Sequence, residues 1–157
     1  MFRNFQLVGI DHAPFQSLFD LSDAQLAQRS ARRCIASESP GYPCRISLED
    51  AQLGEELLLL PYLHQPADSP YRALGPIFVR RGVQQRKLPA GLVPSYVSNR
   101  LISLRAYDAE HMIVDASVCE GTDATSEIKR HFSRDDVAYI HLHNAKRGCF
   151  SCQAIRA

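Results

Sequence analysis

The chain has 157 residues, the length of one domain able to bury about two-thirds of the surface of its unfolded form. A formal net charge of +1 argues against a nucleic-acid partner, because phosphate binding draws on a concentrated basic face. Five cysteines, an odd number in no scaffold-like spacing, fit reduced thiols in a cytoplasmic protein rather than a disulfide framework.

The first residues, Met1 to Gln6, lack the charged start and apolar core of a secretory signal. Residues 5–10 read as a strand, and Asp11 before Pro14 predicts a helical turn with an aspartate cap. Ser22 and Gln25 form a capping box that opens a short helix running to about Gln28. Residues 32–36 and 44–48 read as strands flanking a turn over 38–43. A longer strand over 56–64 contains Pro61, which cannot donate to a ladder and so belongs near an edge or bulge. The same proline interrupts the longest apolar run, which is too short to cross a bilayer, so no membrane partner is expected.

A loop over 65–71 leads to a strand over 77–81. The polar stretch 82–94 follows, with Arg80, Arg81, Arg86 and Lys87 read as a solvated basic run, and then a helical turn near 96–100. No linker or repeat divides the chain, which reads as one domain over 1–157.

Two hairpins can be registered by alternation, since a slip of one residue moves every side chain to the other face. In the first, Ile102, Leu104 and Ala106 form one face, and Met112, Val114, Ala116 and Val118 form the matching one. Pairing Asp108 with Met112 then sets Leu104 opposite Ala116 and Arg105 opposite Asp115. That last pair reads as a cross-strand ion pair or as a guanidinium oriented toward an anionic ligand. Thr122 reads as the N-cap of a helix to Phe132, with His131 on its surface.

In the second hairpin, Ala138, Ile140 and Leu142 alternate with Tyr139, His141 and His143. Matching apolar faces puts Leu142 opposite Cys152, Ile140 opposite Ala154, and His143 opposite Ser151. It leaves Lys146, Arg147 and Gly148 as the loop, with Gly148 in the left-handed position. Cys152 then points into the core, and Cys149 lies on the histidine side.

Three chemistries compete for this hairpin. His141, His143, Cys149 and Cys152 are zinc-type ligands, but alternation separates the cysteines. The set His64, His141 and His143 is the easier metal site, and no metal is favoured outright. Cys149 with His143 forms a nucleophile and acid/base pair. The third reading is a hydrogen-bonded histidine face without turnover. Arg45, Ser47, Arg105 and Ser117 on neighbouring strand faces would turn that face into a pocket if the sheet curves around it.

Several long strings carry a resemblance: Ser39-Pro-Gly-Tyr-Pro-Cys-Arg45, His64-Gln-Pro-Ala-Asp-Ser-Pro-Tyr-Arg72, Gly75-Pro-Ile-Phe-Val-Arg80, Leu104-Arg-Ala-Tyr-Asp108 and His143-Asn-Ala-Lys-Arg-Gly-Cys-Phe150. In these the chain resembles a bacterial family known as domain of unknown function 1203. The resemblance implies a small standalone domain and supplies no activity, substrate or cofactor. It also implies that Cys149 outweighs Cys152, because similar chains often carry alanine at the latter position.

The expected fold is α+β, a mostly antiparallel, curved or barrel-like sheet of about seven or eight strands with two or three short helices. The expected function is a cytoplasmic domain that binds a small polar or anionic metabolite, with its transformation left open. Its pocket would comprise His64, Arg72, Arg105, His141, His143, Asn144 and Cys149, with the arginines holding anionic groups, His143 as acid/base and Cys149 as nucleophile. A non-catalytic structural or protein-interaction domain, and a histidine-based metal protein, are the alternatives.

Overall fold

Short β-forming runs punctuated by Gly, Pro and Asn favour strands joined by tight turns over long helices. The computed structural model describes residues 4–157; the first three, part of the stretch read for a secretory signal, lie outside the described residues. In chain order the elements are β1 (Phe5–Val8), α1 (Ala13–Gln16), α2 (Asp23–Gln28), β2 (Arg32–Ile35), β3 (Pro43–Cys44), β4 (Glu49–Asp50) and β5 (Glu56–Gln65). There follow β6 (Ala73–Arg80), α3 (Ser95–Ser98), β7 (Leu101–Tyr107), β8 (Ile113–Glu120), α4 (Ala124–Phe132), β9 (Tyr139–Asn144) and β10 (Phe150–Arg156).

The class is α+β and mostly antiparallel, but the strands form two five-stranded sheets rather than a single larger one, and neither sheet closes into a barrel. One sheet runs β1-β10-β9-β7-β8 and the other β2-β5-β6-β3-β4, with β3 and β6 the one parallel pair among them. The first sheet packs one face under α3 and α4. There Ile102, Leu104, Ile140, Leu142 and Cys152 meet Val97, Ile128 and Phe132. Its opposite face meets the second sheet, where Phe150 joins Leu58, Leu60, Ile77 and Val79.

Local chemistry explains most boundaries. Ser22 Oγ accepts from the Gln25 amide at 3.2 Å and Gln25 Oε1 accepts from the Ser22 amide at 2.9 Å, closing the capping box of α2. Pro61 of β5 lies opposite Pro76 of β6, beyond the end of β2, whose pairing stops at Leu59. Neither ring can donate there, and on the β2 side no partner is left to need a donor.

Several local expectations require correction. Residues 44–48 form a strand only at Pro43–Cys44, because the chain turns through a Leu48–Cys44 backbone hydrogen bond of 3.0 Å. The helix expected from Thr122 begins at Ala124, after a 3-10 turn over Gly121–Asp123. Gly121 sits so close to α3 that a Cβ would lie 2.0 Å from the Val97 carbonyl, and this contact sets the entry.

In the β7–β8 hairpin Asp108 does bond to Met112, but Val114 is bulged, so Arg105 pairs with Ala116 and Leu104 with Ser117. The expected Arg105–Asp115 pair is therefore not formed. Asp115, Ser117 and Cys119 turn toward α4, and Val118 is 61% exposed. The same change buries His131, expected at the surface, with its ring against Ser117 Oγ at 2.8 Å and Asp115 Oδ2 at 3.1 Å.

In the β9–β10 hairpin, Leu142–Cys152 and Ile140–Ala154 pair as expected, and Gly148 has φ +80°. A bulge at Ser151 nevertheless places Phe150, not Ser151, opposite His143. Phe150 consequently leaves the helix side and enters the seam between the sheets.

Candidate functional site

The seam holds a cluster of three histidines. His141 and His143 alternate on β9 with Ile140 and Leu142, so while the latter pack under the helices the former point at the second sheet. His64 comes from β5, at a bulge where two residues oppose one between the pairs Tyr62–Gly75 and Gln65–Ala73. Bulges re-aim side chains, and here one turns His64 and another turns Phe150 toward the same point. The Phe150 and His64 rings stack at 5.7 Å with 6° between their planes. His143 meets His64 edge-on at 5.0 Å.

One ligand nitrogen of each histidine lies within 4.8 Å of the others. Among the described residues, His64 Nδ1, His141 Nδ1 and His143 Nε2 are shut off from solvent and have no hydrogen-bond partner. A buried ring nitrogen without a partner is costly and calls for an explanation. His143 Nδ1 lies 2.9 Å from the Gly148 carbonyl, so that nitrogen carries the proton and Nε2 presents a lone pair.

Burial pushes the His141 ring down to about 3, with the neighbouring His143, His64 and Arg105 acting in the same direction. Burial likewise brings His143 down to about 4, against the opposing pull of the Gly148 carbonyl. His64 is lowered by burial and then by Arg105. At neutral pH the rings are uncharged, the form that binds metals.

The other expected site residues divide. Arg105 lies directly opposite His141 in the β7–β9 pairing, so the two side chains share a face. Asn144 and Cys149 instead line a cleft of about 530 Å³ together with Arg45, Arg100, Lys146 and Arg147. Cys149 makes no hydrogen bond to His143; its sulfur accepts from Arg45 Nη2 at 3.0 Å. Cys152 is buried on the helix side, across the sheet from the histidines, and burial pushes its thiol up to about 12. Arg72 is exposed in the β5–β6 loop and donates to the Pro66 carbonyl. Ser117 faces α4 rather than the histidines.

The family described as "Protein of unknown function (DUF1203)" matches residues 41–156. The chain belongs to that family. In this DUF1203 chain the match spans β3 through β10 and so includes His64, His141, His143, Arg105 and Cys149. No curated protein and no solved structure matches the chain. Among the described residues no helix is long and apolar enough to cross a membrane.

Two residues at the centre were not singled out from the sequence. Phe150 reaches the seam only through the Ser151 bulge, which leaves no signal in an alternating pattern. Arg45, read as one of several polar strand residues, is instead the largest fully buried side chain.

Proposed function

We propose that this domain binds a divalent transition metal through His64, His141 and His143, with zinc the leading ion. The observation that carries the proposal is the convergence of three histidines, one ring nitrogen of each lying within 4.8 Å of the others, in a cluster with no carboxylate. Imidazole suits zinc, copper, iron and nickel, and three-histidine zinc sites keep a fourth position open for water or a ligand. Two nitrogens each about 2.1 Å from one ion stand at most about 4.2 Å apart. Loading therefore draws the rings slightly inward. The Gly148 carbonyl supports the reading, since a metal-bound histidine is usually held by a hydrogen bond from its other ring nitrogen.

Metal-free protein incubated with zinc at pH 7.5 and desalted is expected to retain about one equivalent by elemental analysis. His141→Ala with His143→Ala is expected to reduce retention to background. Cobalt in place of zinc gives a visible spectrum that reports the ligand set directly. Wild-type protein that holds no zinc or cobalt, or a double variant that holds as much as wild type, sinks the proposal.

A second reading rests on the cleft, whose volume of about 530 Å³ is that of a small-molecule site. Arg100 is paired with Asp50 at 3.0 and 2.5 Å, whereas Arg45, Lys146 and Arg147 have no carboxylate partner among the described residues. Asn144 Oδ1 is buried there and unpartnered. Such a lining suits a small anionic metabolite. Titration with succinate or inorganic phosphate is expected to shift the amide resonances of Asn144 and Cys149, at lower affinity in Arg147→Glu. No anion-dependent change at either residue removes this reading.

A further inference from the structure

We propose that Arg105 makes the histidine centre a site for an oxyanion ligand, with one carboxylate or phosphate oxygen on the metal and another on the guanidinium. This rests on the metal assignment and specifies what completes it.

The placement comes from register. In the β7–β9 ladder Ser103 stands opposite His143 and Arg105 opposite His141. Directly paired residues of an antiparallel sheet project from the same face with Cβ atoms about 4.5–5.5 Å apart. Arg105 therefore rises beside the cluster rather than behind it, and its charge is felt by all three rings.

Arg105 combines partial burial with an unspent charge. Five other arginines that are not part of the site are tied to carboxylates: Arg33 to Glu56, Arg80 to Glu55, Arg100 to Asp50, Arg130 to Glu127 and Arg134 to Asp136. Arg105 makes no hydrogen bond or ion pair among the described residues, although it is half-buried. The bulge at Val114 is the reason, since it carries Asp115 to α4 and leaves Ala116 opposite Arg105.

A divalent ion held by three neutral imidazoles, with a guanidinium alongside, concentrates three positive charges where the cluster holds no carboxylate. An oxyanion resolves that imbalance. It occupies the position the three protein ligands leave open, displacing solvent, and meets a planar fork of N–H donors suited to two oxygens. A metal site built for an ion alone would place an acidic residue, not an arginine, opposite His141. Arg105 and Ser103 are both partly solvent-accessible, so the ligand has an approach along β7.

The test uses the full chain loaded with cobalt, titrated with acetate in one arm and inorganic phosphate in the other, reading the visible spectrum. Wild type is expected to show a saturable change with at least one of the two. Arg105→Gln is expected to take up cobalt as wild type does but to bind that anion about tenfold or more weakly, the size of a lost charged hydrogen bond. Arg105→Lys, which keeps the charge and loses the fork, is expected to fall between them. Cobalt uptake with no anion response in wild type, or with equal anion affinity in Arg105→Gln, overturns this inference while leaving the metal assignment standing. Failure of wild type to take up cobalt overturns both.

Discussion

Acidifying the metal-free protein from pH 7 to pH 5 is expected to remove about 4 kcal/mol of unfolding free energy through His141 and His143 alone. Both imidazoles are held neutral by burial, at about 3 and about 4, against an unfolded value of 6.5. Below pH 6.5 the unfolded chain gains protons that the native state does not, so stability falls with pH across the window from 6.5 to the native values. Above pH 6.5 both states are neutral and the histidines contribute nothing to the dependence. At pH 5 each ring costs about 2 kcal/mol, the distance below the unfolded value multiplied by about 1.4 kcal/mol per unit.

His64 and His131 are lowered by burial and add in the same direction. The carboxyls of Asp115 and Glu127 are held below their usual values and act at lower pH. Urea unfolding at pH 7, 6 and 5 measures the slope, and His141→Gln, which removes one titrating ring, is expected to reduce the loss by about 2 kcal/mol. Equal unfolding free energies at pH 7 and pH 5 would show that these rings are not buried in neutral form. Between pH 7 and pH 5 the native rings carry no proton for a metal to displace, so loading with zinc is expected to raise the unfolding free energy without flattening the profile.

Replacing Arg45 by alanine is expected to cost about 3–5 kcal/mol, the largest effect of any polar residue. Its side chain is 1% exposed and joins three segments. Nε donates to the Phe150 carbonyl at 2.7 Å, Nη1 to the Pro43 carbonyl at 2.7 Å, and Nη2 to Cys149 Sγ at 3.0 Å. Phe150 belongs to one sheet and Pro43 to the other, so the guanidinium staples the two together. Alanine removes a buried donor from the Phe150 and Pro43 carbonyls and from the Cys149 sulfur, where an acceptor left unsatisfied costs about 1–3 kcal/mol, and opens a cavity in addition.

Lysine is no substitute, because a single ammonium on a flexible stem cannot reproduce the fork, and Arg45→Lys is expected to recover less than half of the loss. The measurement is the urea midpoint at constant m-value. A change within about 0.5 kcal/mol, typical of surface positions, would show that Arg45 does not hold the two sheets together. Because Phe150 carries the ring on which His64 stacks, Arg45→Ala is also expected to weaken metal retention.

The locations of most elements were legible because they depend on neighbours in the chain. The capping box of α2, the three-residue loop after Asp108 and the left-handed Gly148 are local chemistry, and each appears in the structure. Alternation alone places His141 and His143 on one face and Cys152 on the other, while His64, ending another strand, enters the sequence reading only as the easier third ligand of an unfavoured metal set. The pairings that went astray all trace to bulges, at Val114 and Ser151. A bulge adds one residue to one strand, and what stabilises it is the packing of the side chains it redirects. Phe150 moves into the seam between the sheets, and Asp115 moves to His131 and Arg130 on α4. None of those partners is adjacent in sequence.

Composition and local pattern are enough for the α+β class, the family, and the residue types available for chemistry: three histidines on strand faces, an arginine on the neighbouring strand, and a cysteine after a glycine turn. Long-range packing divides these residues into two arrangements rather than one. Burying both faces of the first sheet, under helices on one side and a second sheet on the other, seals His141 and His143 with His64 and leaves Arg105 beside them unpaired. The same hairpin turns Cys149 away to Arg45 and the cleft. Period-two alternation fixes which side of a strand a residue occupies, but what waits on that side is set by long-range packing, and packing made the histidine face a buried centre.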